Sequence, residues 1–160
     1  MKKIILIFFI LLQSFKLHAC FGPELIIGYE DGKIEHYTAS VILELYIKEK
    51  TGVGVKITPI SDNNNIYYLL KNEKVDIILT DKNLNMNVLS RKTFTLDKNR
   101  NLYYRAKIKE DLRFTTVMEA IERLSKNLNS QDITKLAEKI NKEKLERRIV
   151  KEFLMQRGLW

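Results

Sequence analysis

The spacing of apolar and polar residues predicts a strand, a helix and a second strand after residue 24. Residues 25–29 form a short apolar run that ends at glycine-flanked polar residues, as buried strands do. From Ile34 the apolar positions recur every three or four residues as far as Gly52, which predicts a buried helix that ends at a glycine. Residues 53–60 then alternate, which predicts the second strand.

A short helix and a third strand follow in the pattern. Residues 62–65 supply capping side chains ahead of the apolar run 66–70, and residues 75–81 are typical of a strand. The resulting β-α-β-α-β order implies parallel strands joined by right-handed crossovers. Ligands of such sheets bind beyond the carboxyl ends of the strands, so we expect a site where residues 29–33 meet residues 80–83.

The second half of the chain is predicted to be mainly helical. Residues 82–102 show no clear pattern, and residues 102–108 alternate weakly, which predicts an edge strand. Three helices follow, with Ser130 expected to cap the second and Gly158 to end the third. Their apolar stripes are Val117, Ala120, Ile121 and Leu124, then Ile133, Leu136, Ala137 and Ile140, then Leu145, Ile149, Phe153 and Leu154.

The N-terminal residues are typical of a secretory signal peptide. Two lysines precede the apolar residues 4–12, a run too short for a stable transmembrane helix, and the segment ends in Leu-His-Ala-Cys. We expect residues 1–19 to be the signal peptide, residues 20–160 to be one domain, and the location to be the periplasm or cell envelope. The segment is similar to a bacterial lipobox, so Cys20 is either lipidated as a membrane anchor or left free after ordinary cleavage.

Charge and residue counts exclude several classes of function. Without Lys2, Lys3 and Lys16 the 28 basic residues become 25, against 20 acidic residues, which leaves a net charge of +5. Because basic and acidic residues alternate along the helices, they favour solvated faces over a nucleic-acid interface. One cysteine excludes an intramolecular disulfide. The chain has no P-loop, G-x-S-x-G motif or His/Cys ligand cluster, so we predict a protein that is not an enzyme and uses no metal or cofactor.

Three stretches of the chain show a family likeness: residues 25–55 (LIIGYEDGKIEHYTASVILELYIKEKTGVGV), residues 67–79 (YYLLKNEKVDIIL) and residues 114–160, which contain FLMQRGL near their end. They resemble the substrate-binding proteins of ABC importers for glycine betaine, choline and related osmoprotectants. That family has two α/β lobes that clamp the ligand. After Asp81 only about thirty residues precede the third stretch, too few for a second lobe. The resemblance therefore implies an α/β, periplasmic-binding-protein-like lobe of three layers with a mainly parallel sheet, whose second lobe is missing.

The resemblance implies an exported solute-binding component of an ABC importer, which binds a quaternary-ammonium osmoprotectant or docks to the permease. Aromatic faces bind such cations, and one lobe offers one wall, so a second copy or the permease would supply the other. The alternative is a degenerate lobe that serves as an envelope interaction module without a ligand. The expected ligand-binding residues are Tyr29, Glu30, Asp31, Thr80, Asp81, Asn83 and Tyr103.

Overall fold

The computed structural model describes residues 24–61, 66–82, 84, 90–96, 100–105 and 111–160. The expected signal peptide, Cys20 and Asn83 lie outside the described residues. None of the described helices has the length and apolar character needed to cross a membrane. In chain order the elements are β1 (Leu25–Glu30), α1 (Ile34–Thr51), β2 (Val55–Ile60), α2 (Ile66–Lys71), β3 (Ile77–Thr80), β4 (Ser90–Thr95), β5 (Asn101–Arg105), α3 (Leu112–Asn127), α4 (Ser130–Glu143) and α5 (Glu146–Gln156).

The described strands form one five-stranded sheet with the order β2-β1-β3-β5-β4. β1 pairs in parallel with β2 and β3, whereas β5 is antiparallel to both β3 and β4. The predicted α/β class is confirmed, but the sheet is mixed rather than mainly parallel in its pairings. The prediction of an edge strand at residues 102–108 is wrong, because β5 lies inside the sheet with buried residues along its length.

The first three strands create a switch point in the sheet. The chain leaves β1 through α1 to reach β2 on one side, and returns through α2 to β3 on the other side of β1. Right-handed crossovers in opposite directions place their helices on opposite faces. Accordingly, α1 packs over Ile27 and Leu79 with the three C-terminal helices, and α2 packs over Ile78 on the other face. The structure thus has three layers, and a crevice is expected at the carboxyl ends of β1 and β3.

α1 is the most deeply buried helix of the fold, and it contacts β1, β2 and all three C-terminal helices. A helix that is apolar around most of its circumference has to be covered on all sides, which the C-terminal helices accomplish. They therefore pack on the N-terminal part of the chain and do not form a separate bundle. The buried residues of α1 are His36, Thr38, Ala39, Ser40, Val41, Ile42, Leu43, Tyr46 and Ile47.

Two of the predicted helix ends agree with the structure and one does not. Gly52 ends α1 in the left-handed region, with φ of 71°, and its N–H donates to the carbonyl of Lys48. Gly158 likewise follows α5 with φ of 66°. The cap of α4 is Asn129 and not Ser130, because the Asn129 side chain accepts a hydrogen bond from the Asp132 N–H at 2.9 Å.

Gly28 marks a position in β1 where the packing leaves no room for a side chain. A Cβ atom there would lie 2.4 Å from Cδ1 of the buried Ile60 and 3.3 Å from Cγ1 of Val75. We expect Gly28→Ala to lower the free energy of unfolding by about 1–3 kcal/mol, because overpacked cores force neighbours out of their preferred rotamers. Chemical denaturation measures this loss.

Ile60→Val removes the methyl group that Gly28→Ala would strike. Alone, this substitution should lower the free energy of unfolding by about 0.5–1.5 kcal/mol. In the Gly28→Ala background the loss should be smaller, so the double-mutant cycle should show favourable coupling. Gly54→Ala is the matched control, since its Cβ would meet only the exposed Glu24 side chain. Equal losses for the two glycine variants would contradict this account of the packing.

Candidate functional site

The carboxyl ends of β1 and β3 bring three of the predicted site residues together. Glu30 ends β1 and Thr80 ends β3, and both are buried, whereas the Asp81 side chain is about half exposed. Gly28 pairs with Ile78 in the parallel register, so Glu30 and Thr80, two residues further along, share one face of the sheet. The Thr80 hydroxyl donates to Glu30 Oε1 at 2.8 Å.

Lys33, at the entry to α1, supplies the charge that a buried carboxylate requires. Its Nζ donates to Glu30 Oε2 at 2.6 Å and to Asp81 Oδ2 at 2.8 Å. Lys82 Nζ lies 3.4 Å from Glu30 Oε1. Two ammonium groups thus face two carboxylates, and this balance offsets the cost of taking Glu30 out of water.

The hydrogen bonds of this cluster decide its protonation. Burial raises the pKa of Glu30, but hydrogen bonds from Lys33 and Thr80 outweigh burial and hold that pKa below its ordinary value. The hydrogen bond from Lys33 also lowers the pKa of Asp81. The same hydrogen bonds, to Asp81 first and then to Glu30, raise the pKa of Lys33. Both carboxylates and the ammonium are therefore ionised at neutral pH.

His36 completes the cluster from the first turn of α1. It is buried, with Nδ1 3.5 Å from Glu30 Oε2 and Nε2 4.0 Å from Asp81 Oδ2. Burial lowers its pKa, so the ring is neutral at neutral pH. Its Nδ1 finds no hydrogen-bond partner in the described part of the chain. The sequence analysis assigned no binding role to Lys33 or His36, although Lys33 lies in the expected residues 29–33 and His36 follows at the start of the next helix.

Tyr29 and Asp31 lie beside the cluster without joining it. The Tyr29 ring packs against Tyr37 of α1, with 5.6 Å between ring centroids. Burial raises the pKa of Tyr29, and the charge of Asp31 adds to this effect. Asp31 is exposed, and its Oδ1 accepts a hydrogen bond from the Gly32 N–H at 2.9 Å. In the structure Tyr29 therefore contributes to packing and Asp31 to a turn, and ligand contact by either stays a prediction.

Tyr103 holds the loop after β3 through hydrogen bonds to its backbone. It is 2% exposed, and its hydroxyl donates to the Lys82 carbonyl at 3.3 Å and accepts from the Leu84 N–H at 3.0 Å. Its aromatic face packs in the smaller core with Ile78. Tyr103 thus fixes the position of the loop that carries Asp81, and direct contact of its ring with a ligand stays a prediction.

A cavity of about 270 Å³ lies at the opposite end of the sheet. Its lining includes Asp76 and Arg105, which pair with each other, while Arg105 also pairs with Glu73 at 2.8 Å. The second carboxylate oxygen of Asp76 accepts a hydrogen bond from the Ile26 N–H at 2.8 Å. These charges tie β1, β3 and β5 together, which is a structural role.

The chain matches no protein-family model, no curated protein and no solved structure. The likeness to the osmoprotectant-binding proteins therefore stays a prediction from the sequence. The function has to be argued from the strand-end cluster of Glu30, Lys33, His36, Thr80 and Asp81.

Thr80 provides a direct measure of how strongly the cluster is held together. Thr80→Val keeps the side-chain volume but removes the hydroxyl that donates to Glu30 and accepts from the Lys82 N–H. We expect a loss of about 1.5–3 kcal/mol in the free energy of unfolding, because hydrogen bonds to charged groups are the stronger ones. Urea denaturation at neutral pH measures the loss.

Thr38→Val is the matched control for Thr80→Val. Thr38 is also fully buried, yet its hydroxyl finds no hydrogen-bond partner within the described ranges. The same substitution should therefore be neutral or stabilising there. A Thr80→Val variant as stable as Thr38→Val would show that the Glu30 hydrogen bond contributes nothing.

Tyr37 makes the free energy of unfolding pH-dependent in the alkaline range. Burial and the hydrogen bond that its hydroxyl donates to Glu146 Oε1 at 2.9 Å raise the pKa of Tyr37 to about 12. Because this pKa lies above that of the unfolded chain, the stabilisation is complete below about pH 10 and is lost between about pH 10 and 12. Over that range the free energy of unfolding of the wild type should therefore fall relative to that of Tyr37→Phe, by at most about 2.7 kcal/mol.

Denaturation at a series of pH values from 9 upwards tests this dependence. Tyr68→Phe serves as the control, because it removes the same hydroxyl from a side chain that is 56% exposed. A Tyr37→Phe difference that stays constant with pH would refute the assigned role of the Tyr37 hydroxyl.

Proposed function

We propose that the chain is an exported solute-binding component of an ABC importer, reduced to a single α/β lobe and anchored through Cys20 where that residue is lipidated. The observation that carries the proposal is the charged cluster at the switch point between β1 and β3. Ligands of open α/β sheets bind at this point. The resemblance to the osmoprotectant-binding family supports the same assignment.

The cluster is suited to a small solute that carries an ammonium group, a carboxylate or both. Glu30 and Asp81 offer acceptors to an ammonium, and Lys33 offers a donor to a carboxylate. A zwitterion could therefore replace the internal ion pairs with matching pairs of its own. Because Lys33 is 40% exposed, it can move aside without leaving a buried charge behind.

The same internal pairing makes binding to the isolated lobe weak. A solute has to displace Lys33 from both carboxylates, and one lobe removes water from one side of the ligand only. We expect a dissociation constant in the millimolar range, about −4 kcal/mol, for the monomer. Tighter capture requires a second wall, which the permease or a second copy of the chain would supply.

Glycine betaine and choline are the ligands that the resemblance implies, and the cluster modifies this expectation. A trimethylammonium group binds aromatic faces and donates no N–H hydrogen bonds. Tyr29, the nearest predicted aromatic, packs against Tyr37. A primary ammonium can replace the hydrogen bonds that Lys33 gives to Glu30 and Asp81, so glycine should bind more tightly than glycine betaine.

The alternative function is an envelope interaction module without a ligand. Its support is the same self-satisfied cluster, since the carboxylates of Glu30 and Asp81 already have a cationic partner. In that case the strand-end surface would recognise the permease or another envelope protein.

An NMR titration of the chain without residues 1–19 separates these functions. Glycine, glycine betaine and choline are added up to tens of millimolar, and the amide signals near Glu30 and Asp81 are followed. We expect saturable millimolar binding, with glycine tightest, and its loss in Glu30→Gln. Glu122→Gln is the control, because Glu122 lies on the exposed face of α3 and pairs with Lys126.

Two results would contradict the proposal in different ways. Micromolar binding of glycine betaine that disappears in Tyr29→Ala would show that aromatic recognition, and not the charged cluster, selects the ligand. Absence of binding by all three solutes at millimolar concentration would reject solute capture by the lobe and favour the interaction module.

A further inference from the structure

We propose that Glu30, His36 and Asp81 bind a divalent transition metal ion, for which Zn²⁺ fits best, and that Lys33 takes the place of the ion in the metal-free chain. The inference goes beyond the proposed function. It shares with that function only the location, because the metal ion and the solute would bind at the same strand ends. The sequence predicted no metal site, because the three residues are far apart in the chain and show no ligand spacing.

The three side chains already have the approximate geometry of a metal site. Each offers one ligand atom, and these atoms lie within 4.8 Å of one another. His36 Nδ1 and Glu30 Oε2 are 3.5 Å apart. Around a tetrahedral ion with bonds of about 2.0–2.1 Å, neighbouring ligand atoms are about 3.3 Å apart. Asp81 is about half exposed, so rotation of its side chain can close the remaining distance.

His36 provides a second observation that points to a ligand. The residue is 4% exposed, and its Nδ1 is directed at the Glu30 carboxylate without making a hydrogen bond in the described part of the chain. Buried ring nitrogens normally have a partner, because an unpaired one loses its interaction with water. Coordination to a metal ion would give this nitrogen the partner it lacks.

Lys33 shows where the cluster stabilises a positive charge. Its ammonium lies between the carboxylates of Glu30 and Asp81, at 2.6 Å and 2.8 Å. The side chain is 40% exposed, so it can turn into solvent when another cation arrives. A divalent ion would balance both carboxylates and would also engage His36, which Lys33 does not do. Lys33 and the metal therefore compete for one position.

The donor set selects the class of metal. One imidazole nitrogen with two carboxylate oxygens suits Zn²⁺ and its neighbours, whereas Ca²⁺ and Mg²⁺ take oxygen ligands. Three protein ligands leave a fourth position open to water or a solute carboxylate. Thr80 and Lys82 hold the other oxygen of Glu30 and so orient it. The positive end of α1 opposes a cation, so we expect micromolar rather than nanomolar affinity.

The wild-type chain allows a direct test without any substitution. The sequence has two histidines, and His18 lies in residues 1–19, so His36 is the sole imidazole in the tag-free chain without those residues. We expect Zn²⁺ to shift the His36 ring signals in a saturable titration with one ion per chain. Co²⁺ should give the strong visible absorption of a tetrahedral site. Zinc binding that leaves His36 unperturbed, or no saturable binding up to millimolar Zn²⁺, would overturn the proposal.

Two variants test the competition with Lys33. His36→Gln should weaken zinc binding about tenfold or more, and Lys33→Met should strengthen it by a similar factor because the competing ammonium is gone. Lys48→Met is the matched control, since Lys48 lies in the last turn of α1, and zinc affinity should not change. Circular dichroism establishes that each variant is folded. Equal or weaker zinc binding by Lys33→Met would refute the displacement.

The metal and the solute can be tested separately. Zinc titrations contain no solute, and solute titrations are run with EDTA, so that each measures one ligand. Zinc binding without solute binding would leave this inference intact and reject the proposed function, and the reverse result would do the opposite.

Discussion

A helix that is apolar around most of its circumference cannot lie at a protein surface, and α1 is such a helix. Its burial between the sheet and the C-terminal helices determines how the two halves of the chain come together. The sheet covers one side, and α3, α4 and α5 cover the rest. The C-terminal helices therefore complete the core that begins at residue 25, and the fold needs both halves of the sequence.

The first turn of α1 connects the candidate site to this core. Lys33 and His36 face the strand ends, whereas Glu35, between them, pairs with the buried Arg100 and accepts a hydrogen bond from Thr134 of α4 at 2.8 Å. Tyr37, which follows His36, donates a hydrogen bond to Glu146 of α5. Residues 33–37, at the start of α1, thus contact both the cluster and the C-terminal helices.

The sequence predicted the elements whose hydrophobic period is strong. The three parallel strands, α1, α2 and the C-terminal helices lie within a few residues of their predicted bounds. β4 was missed because Ser90–Thr95 (SRKTFT) has a single large apolar residue. β5 was placed at an edge because its weak alternation resembles a half-exposed strand, although its partner β4 covers it.

Only those residues of the candidate site that lie at strand ends could be predicted from the sequence. Glu30, Thr80 and Asp81 follow from the rule that parallel sheets bind ligands at their carboxyl ends. Lys33 lies within the expected residues 29–33, but its role and that of His36 could not be assigned from sequence, since both roles depend on the angle at which α1 leaves β1. Adjacent residues of a strand point to opposite faces, so one of Tyr103 and Tyr104 was expected to face a ligand. In the structure both are buried, because each face of the sheet is covered by a core.

The outer strand β2 limits how a second molecule can approach. Lys56 and Pro59 are exposed on this edge, and proline lacks the N–H that an added strand would need. A lysine on the same edge adds charge repulsion and desolvation to any attempt at edge-to-edge pairing. The sheet is therefore protected against growing by β-augmentation on this side, which guards the chain against aggregation through that edge.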